Sequence, residues 1–185
     1  MKMTDGNALQ EIHDEIKSCT KCELHKSRIN AVPGEGPIDA KVLFIGEAPG
    51  AREDETGRPF VGRSGRLLRS LITEIGLSED DVFITSILKS RPPNNRTPRK
   101  SEVTACLPYL ERQIETINPK VIALVGRVAI STLLGPWTMG EVHGRFYEAE
   151  GRTYFMCYHP AAALRNPDLK DVMRADFQKL KQELV

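Results

Sequence analysis

Apolar and polar positions along the chain follow two rhythms. Leu9, Ile12 and Ile16 recur at helical spacing, with Asp, Glu and Lys between them, and predict an amphipathic helix that runs into Cys19. Residues 41–46, Lys-Val-Leu-Phe-Ile-Gly, form a short apolar run closed by Gly, the pattern of a buried strand. A loop rich in Gly, Pro and charge follows. Ser64 then stands where it would cap a helix carrying Leu67, Leu68, Leu71, Ile72 and Ile75, stopped by Gly76. Residues 82–87 predict a second strand. Residues 89–100 hold three prolines and no hydrophobic residue, so they read as a loop. Ser101 is placed to cap a third helix that ends before Pro119. Residues 121–125 predict a third strand, closed by Gly126 and followed by a short helix to Leu134. Residues 152–158 predict a fourth strand, and 168–184 a closing helix.

Strands alternating with helices imply an α/β fold, with a mostly parallel four-stranded sheet covered on both faces. No internal repeat, low-complexity tract or linker interrupts the pattern, so residues 1–185 are expected to form a single domain. The length of 185 residues suits one α/β domain and is too short for two. The net charge of +1 does not indicate a nucleic-acid partner by itself, so any such surface must come from local clustering. No apolar run has the length of a membrane span, and Met1 to Lys17 lack a signal-peptide core. A cytoplasmic protein with no membrane association is the expectation. Its four cysteines are then expected to be ligands, catalytic groups or buried thiols rather than disulfides.

In such sheets the site lies outside the carboxyl ends of the strands. Three segments leave strand ends, at 46–63, 88–100 and 159–167. The first, Gly46-Glu47-Ala48-Pro49-Gly50 continuing to Gly57-Arg58-Pro59-Phe60-Val61-Gly62, combines close-approach backbone with the carboxylates Glu47, Glu53, Asp54 and Glu55. A nucleotide phosphate loop is the weaker reading, because the Lys-Ser/Thr ending is missing and no Gly-x-Gly-x-x-Gly occurs here. Phe60 sits in this loop, away from any regular core face. The second segment carries five basic residues, Lys89, Arg91, Arg96, Arg99 and Lys100, and no acid, so it can track a phosphate backbone or stand as a solvated loop. In the third, His159 follows a strand and precedes Pro160, which aims it into the crevice, and Leu164-Arg165 sets an apolar tip beside a cation. Cys19-Thr-Lys-Cys22 has the spacing of two ligands on one metal centre. Taken alone it fits redox, zinc or cluster chemistry.

These stretches, Gly-Glu-Ala-Pro-Gly, Gly-Arg-Pro-Phe-Val-Gly, Arg-Pro-Pro-Asn-Asn-Arg and Tyr-His-Pro-Ala-Ala-Ala-Leu-Arg-Asn-Pro, occur in the order that resembles family 4 uracil-DNA glycosylase. The resemblance runs from about Ile12 to the C-terminus. It implies a single three-layer α/β/α domain acting as a monofunctional base-excision repair enzyme on uracil-containing DNA, single- or double-stranded, as a monomer. A damaged nucleotide would be flipped into a pocket, because the glycosidic carbon is unreachable inside the base stack. By the same resemblance Phe60 stacks on uracil and Glu47 reads its carbonyl edge through the backbone. His159 donates to uracil O2, where negative charge develops. Glu47, Glu53 and Asn95 are the candidates for orienting the attacking water. Ser64 holds a DNA phosphate at a helix N-terminus, Arg91, Arg96 and Lys100 contact the backbone, and Leu164 and Arg165 fill the gap left by the flipped base.

Two positions depart from the family pattern. The family binds a 4Fe-4S cluster through four Cys. Here Cys19, Cys22 and Cys106 match, and Ser90 stands at the fourth position, so a labile or incomplete cluster is expected. Ser86 stands where the family has an Asn that reads the Watson–Crick edge of uracil. Loss of a bidentate contact costs on the order of 1–3 kcal/mol of discrimination. Two alternatives therefore stay open: a DNA-binding damage sensor with weak catalysis, or a glycosylase with preference shifted toward hypoxanthine or xanthine.

Overall fold

A computed structural model describes residues 5–185; residues 1–4 lie outside the described residues. The chain opens with α1 (Asp5–Ser18) and passes through a 3-10 turn at Glu23–Lys26. Then come β1 (Val42–Gly46), α2 (Ala51–Thr56), α3 (Arg63–Glu74), β2 (Val82–Ser86), α4 (Lys100–Ile117), β3 (Val121–Val125), α5 (Arg127–Leu133) and α6 (Met139–Val142). β4 (Arg145–Ala149), β5 (Arg152–Cys157), α7 (Pro160–Arg165) and α8 (Leu169–Leu184) complete it.

The sheet has five strands in the order β2-β1-β3-β5-β4 rather than the expected four. The first four of these are mutually parallel, and β4 is an antiparallel edge joined to β5 by a tight turn. β4 escapes a reading by hydrophobic pattern because Arg-Phe-Tyr-Glu-Ala buries no residue fully; it is an edge strand, paired on one side only. The parallel strands are apolar throughout because both of their faces are covered. Val42, Phe44, Ile84, Ala123 and Phe155 point to one layer, built from α3, α7 and α8. Leu43, Ile45, Phe83, Leu124 and Met156 point to the other, built from α4, α5 and the segment after α1. The result is a three-layer α/β/α sandwich.

The helix starts differ from the expectation. α3 begins at Arg63, with Gly62 and not Ser64 before it, and α4 begins at Lys100, with Arg99 and not Ser101 in the capping place. In α4 the Glu102 carboxylate accepts the Arg99 backbone N–H at 2.8 Å, so an acid in the first turn does the work expected of a serine hydroxyl. The segment after β2 also departs from a plain solvated loop. Lys89 is 2% exposed, and its ammonium donates to Thr85 Oγ1 and to Gln113 Oε1, 2.7 Å away. Burial pushes its pKa down to about 7. Thr85 and Gln113 both donate to the Pro33 carbonyl, and the Lys89 carbonyl accepts from Val32, so this polar knot ties β2, α4 and residues 32–33 together.

Phe60 sets the shape of the loop between α2 and α3. Its φ of 49° is unusual for a residue with a side chain. The ring lies where a Cβ on Gly46 would stand, and its backbone lies where a Cβ on Gly65 would stand. Gly65→Ala, a change that gains up to about 1 kcal/mol in an ordinary helix interior, is therefore expected to destabilise by about 1–3 kcal/mol through overpacking. Thermal unfolding of the variant checks this, and a raised melting temperature would mean that Phe60 is not pressed against α3.

Candidate active site

β1 sits between β2 and β3, and the chain leaves β1 toward one side of the sheet and β3 toward the other. That change of direction opens a crevice of about 730 Å³ at the carboxyl ends of the strands. Each of the four parallel strands contributes to its wall. Glu47 to Gly50 follow β1, Ser86 ends β2, Gly126 to Val128 follow β3, and Tyr158 and His159 follow β5. The crevice brings together Glu47, Glu53, Phe60, Ser64, Ser86, Asn95, Arg96, His159 and Arg165 of the expected set. Arg91, Lys100 and Leu164 do not line it, although Leu164 is exposed on α7 directly beside Arg165.

The ring of Phe60 faces that of His159, with centroids 5.9 Å apart and planes inclined by 34°. His159 caps α7: its Nδ1 accepts the backbone N–H of Ala161 at 3.1 Å. Burial lowers its pKa to about 4, helped by Arg165 and opposed by Glu53. An uncharged imidazole whose Nδ1 accepts must carry its proton on Nε2. The site thus holds a neutral N–H donor beside an aromatic face. Gly126, at φ +94°, keeps that place open, because a Cβ there would stand 2.8 Å from His159 Cβ.

The four carboxylates of the first loop separate by environment. Asp54 is buried and accepts the backbone N–H groups of Ile29 and Asn30, and Glu55 is exposed and pairs with Arg52, so both are structural. Glu53 faces the crevice, but its Oε1 accepts the N–H groups of Val61 and Gly62, each at 2.8 Å, and braces the Phe60 loop. Glu47 has no side-chain hydrogen bond among the described residues, and burial raises its pKa against the opposing pull of Arg127. Of the water-orienting candidates it is the one with a free carboxylate. Asn95, at φ 54°, spends its carbonyl oxygen on Arg91 Nε at 2.7 Å, and among the described residues its amide nitrogen has no partner.

The basic segment is divided as well. Arg96 forms a two-point ion pair with the buried Glu102 and anchors the start of α4, so its charge is largely spent. Lys89 belongs to the interior. Arg91, Arg99 and Lys100 remain as the cations of that segment placed toward solvent. Sequence reasoning missed Arg127 and Tyr158, both in the crevice wall. Arg127 directly follows Gly126 at the end of β3, and the strand-end rule extended to that strand would have found it.

Three of the four cysteines, Cys19, Cys22 and Cys106, lie on the other side of the sheet from the Phe60 loop. Cys106 packs with Leu24 and the partly buried Cys22, and Cys19 packs beside Tyr109. Burial raises the Cys106 thiol pKa; the Lys89 backbone N–H opposes this, and Cys22 and Cys19 add to it, which puts the three sulfurs in one neighbourhood. Among the described residues no three His, Cys, Asp or Glu gather tightly enough to hold a single ion. A polynuclear cluster places each thiolate on its own iron, so its ligands stand wider apart than those of one ion. Ser90 accepts a hydrogen bond from Arg28 Nη1 at 3.0 Å. Cys157 is fully buried on the opposite face of the sheet, where its thiol meets the Leu124 carbonyl. That face keeps it out of the group formed by Cys19, Cys22 and Cys106.

The family model of the uracil DNA glycosylase superfamily matches residues 33–184. The chain belongs to that superfamily. Within it, its place is among the type-4 uracil-DNA glycosylases. It is 51% identical to one from Saccharolobus solfataricus, over 95% of this chain and 86% of that protein. It is 46% identical to one from Sulfurisphaera tokodaii, over 95% and 84% of the two chains, and 49% identical to one from Pyrobaculum aerophilum, over 92% and 90%.

The raised pKa of Glu47 has a stability consequence. A carboxyl whose folded pKa lies above its unfolded value opposes folding at every pH where it is ionised, and the opposition vanishes well below pH 4. Glu47→Gln is therefore expected to raise the melting temperature at pH 7 and to leave it nearly unchanged near pH 3. A lowered melting temperature at pH 7 would mean that the carboxylate is paired in the fold.

Proposed function

We propose that the protein is a monofunctional DNA-repair hydrolase that cleaves the N-glycosidic bond of uracil in DNA and leaves an abasic site. The observation that carries this reading is the juxtaposition of Phe60 with the neutral Nε2–H of His159 in a crevice at the strand ends. A flipped base would stack on the Phe60 ring where it lines the crevice, and stacking of this kind is worth roughly 1–3 kcal/mol. The His159 Nε2–H donates to uracil O2 as the bond breaks and the leaving base becomes an anion; a neutral donor loses no proton to it at neutral pH. Glu47 orients the attacking water, with the Asn95 amide on the other side. Water attacks C1′, the bond to uracil N1 breaks with its electron pair passing to the base, and the water proton goes to the Glu47 carboxylate. Ser64, Arg165, Arg91 and Lys100 contact DNA phosphates, and Leu164 enters the gap in the stack. The substrate is uracil-containing DNA, single- or double-stranded, taken by a monomer in the cytoplasm. No described helix is long and apolar enough to cross a membrane.

Ser86 makes base choice a separate question. Its hydroxyl lies at the crevice floor, beside Gly46 and Phe60. A hydroxyl that both donates and accepts still pairs with the uracil edge, at one contact in place of two. Incubation with oligonucleotides containing uracil, hypoxanthine or xanthine, followed by alkali, is expected to cut the uracil strand fastest. Cleavage of hypoxanthine alone would favour the shifted-preference reading, and binding without cleavage of any strand would favour a damage sensor.

The resemblance also implies an iron–sulfur cluster, with Cys19, Cys22 and Cys106 as thiolate ligands and Ser90 nearest the fourth iron. When bound it would cross-link the segment after α1 to α4, and because the folded chain alone brings these ligands together, its binding would add folding free energy. Iron and acid-labile sulfide analysis of anaerobically purified protein is expected to find a brown cluster that Cys106→Ala abolishes and Ser90→Cys makes more resistant to air. Absence of iron from such a sample would remove the cluster and leave the glycosylase reading in place.

A further inference from the structure

Asp176 is 1% exposed, in the middle of α8, among Met173, Phe177 and Leu180. A carboxylate in such a place is costly unless it is held by hydrogen bonds, and well-packed apolar residues commonly replace buried ion pairs without loss of stability. Its two oxygens are both engaged. Oδ2 lies 2.7 Å from His143 Nδ1, and Oδ1 lies 3.3 Å from the exposed Lys179 Nζ. The carboxylate also occupies the space that a Cβ on Gly144 would take, at φ +68°, and the Gly144 N–H bonds the Met156 carbonyl at 2.7 Å. His143 is therefore fixed from behind by α8 and from its own chain by β5.

The other face of His143 meets Tyr158. Its ring lies 4.9 Å from that of Tyr158, at 35°. Tyr158 lines the crevice and is bonded directly to His159. From the buried carboxylate to the crevice wall there is thus an unbroken chain, Asp176 to His143 to Tyr158, ending one residue from the proposed donor. Nothing in the core of α8 needs a carboxylate; what it supplies is a fixed orientation for one ring.

We infer that Asp176 and His143 are positioning residues for base excision: they hold the Tyr158 ring in the crevice wall and thereby the setting of His159. The inference rests on the reading of His159 as the donor to the departing base. Neither group touches the substrate. A displacement of about 1 Å in a reacting geometry can cost on the order of a hundredfold in rate, which is the scale to look for.

The test is single-turnover excision from a uracil-containing duplex, with affinity measured separately on an uncleavable analogue and folding followed by thermal melting. His143→Ala and Asp176→Leu are expected to slow the chemical step tenfold or more while affinity changes less than about threefold. Two conservative variants divide the chain. His143→Phe keeps a ring against Tyr158 and is expected to recover most of the rate in the background of Asp176→Leu, where no carboxylate is left unpaired. His143→Asn keeps a donor to Asp176 without the ring and is expected to stay slow even if it melts like the parent. His159→Ala is run alongside. If it retains full activity, the donor reading fails and the inference fails with it. If it is inactive while His143→Ala and Asp176→Leu turn over like the parent at a temperature where both are folded, the positioning role alone is overturned. A rate that follows melting temperature across all variants, His143→Asn included, would likewise reduce the chain to a structural ion pair.

Discussion

The crevice depends on the place given to one aromatic ring. Phe60 lies across Gly46, at the end of the central strand β1, while its backbone presses on Gly65 in α3. Both contacts exist only because those positions lack a Cβ, and together they hold a residue with a side chain at φ 49°. The Glu53 carboxylate accepts two backbone N–H groups just beyond Phe60 and closes the loop behind it. Moving the ring would take away the face opposite His159, so the rest of the site is arranged around it.

A second constraint comes from beneath. The strand ends are joined past the strands themselves: Ile87 and Leu88 donate to the carbonyls of Gly46 and Glu47, and Gly126 donates to that of Cys157. The buried Lys89 knot continues this on the far side of β2. These links make a rigid rim, and on a rigid rim a hydrogen-bond donor needs no reorganisation when charge develops on a leaving group. The layer of α3, α7 and α8 carries the Phe60 loop, and the opposite layer carries Cys19, Cys22 and Cys106. The two neighbourhoods are thereby separated by the sheet, which suits a cofactor with a structural role and a reaction with no electron transfer.

Much of this was legible in the chain itself, and the reasons differ by element. β1, β2, β3 and β5 are apolar on both faces and announce themselves as short runs. β4 does not, because an edge strand with one exposed side and a mixed sequence has no periodic signal. The crevice residues were legible as motifs at strand ends. Their division of labour was not, because it depends on who bonds to whom. Arg96 reads as a free cation until Glu102 is placed against it, and Lys89 reads as part of a basic loop until Thr85 and Gln113 are found around its ammonium. Arg127 and the Asp176–His143 pair carry no motif at all, since their meaning lies in contacts across 33 residues or in the turn after a single strand.

The central claim is that a neutral histidine, protonated on Nε2, waits at the end of β5. Its most direct test is a heteronuclear NMR titration of the His159 ring in the free protein. The structure calls for an Nε2–H tautomer that persists from pH 8 down through pH 6, with the midpoint of protonation only near pH 4. A ring that carries its proton on Nδ1, or that titrates at about 6.5 as a free histidine does, would contradict the account.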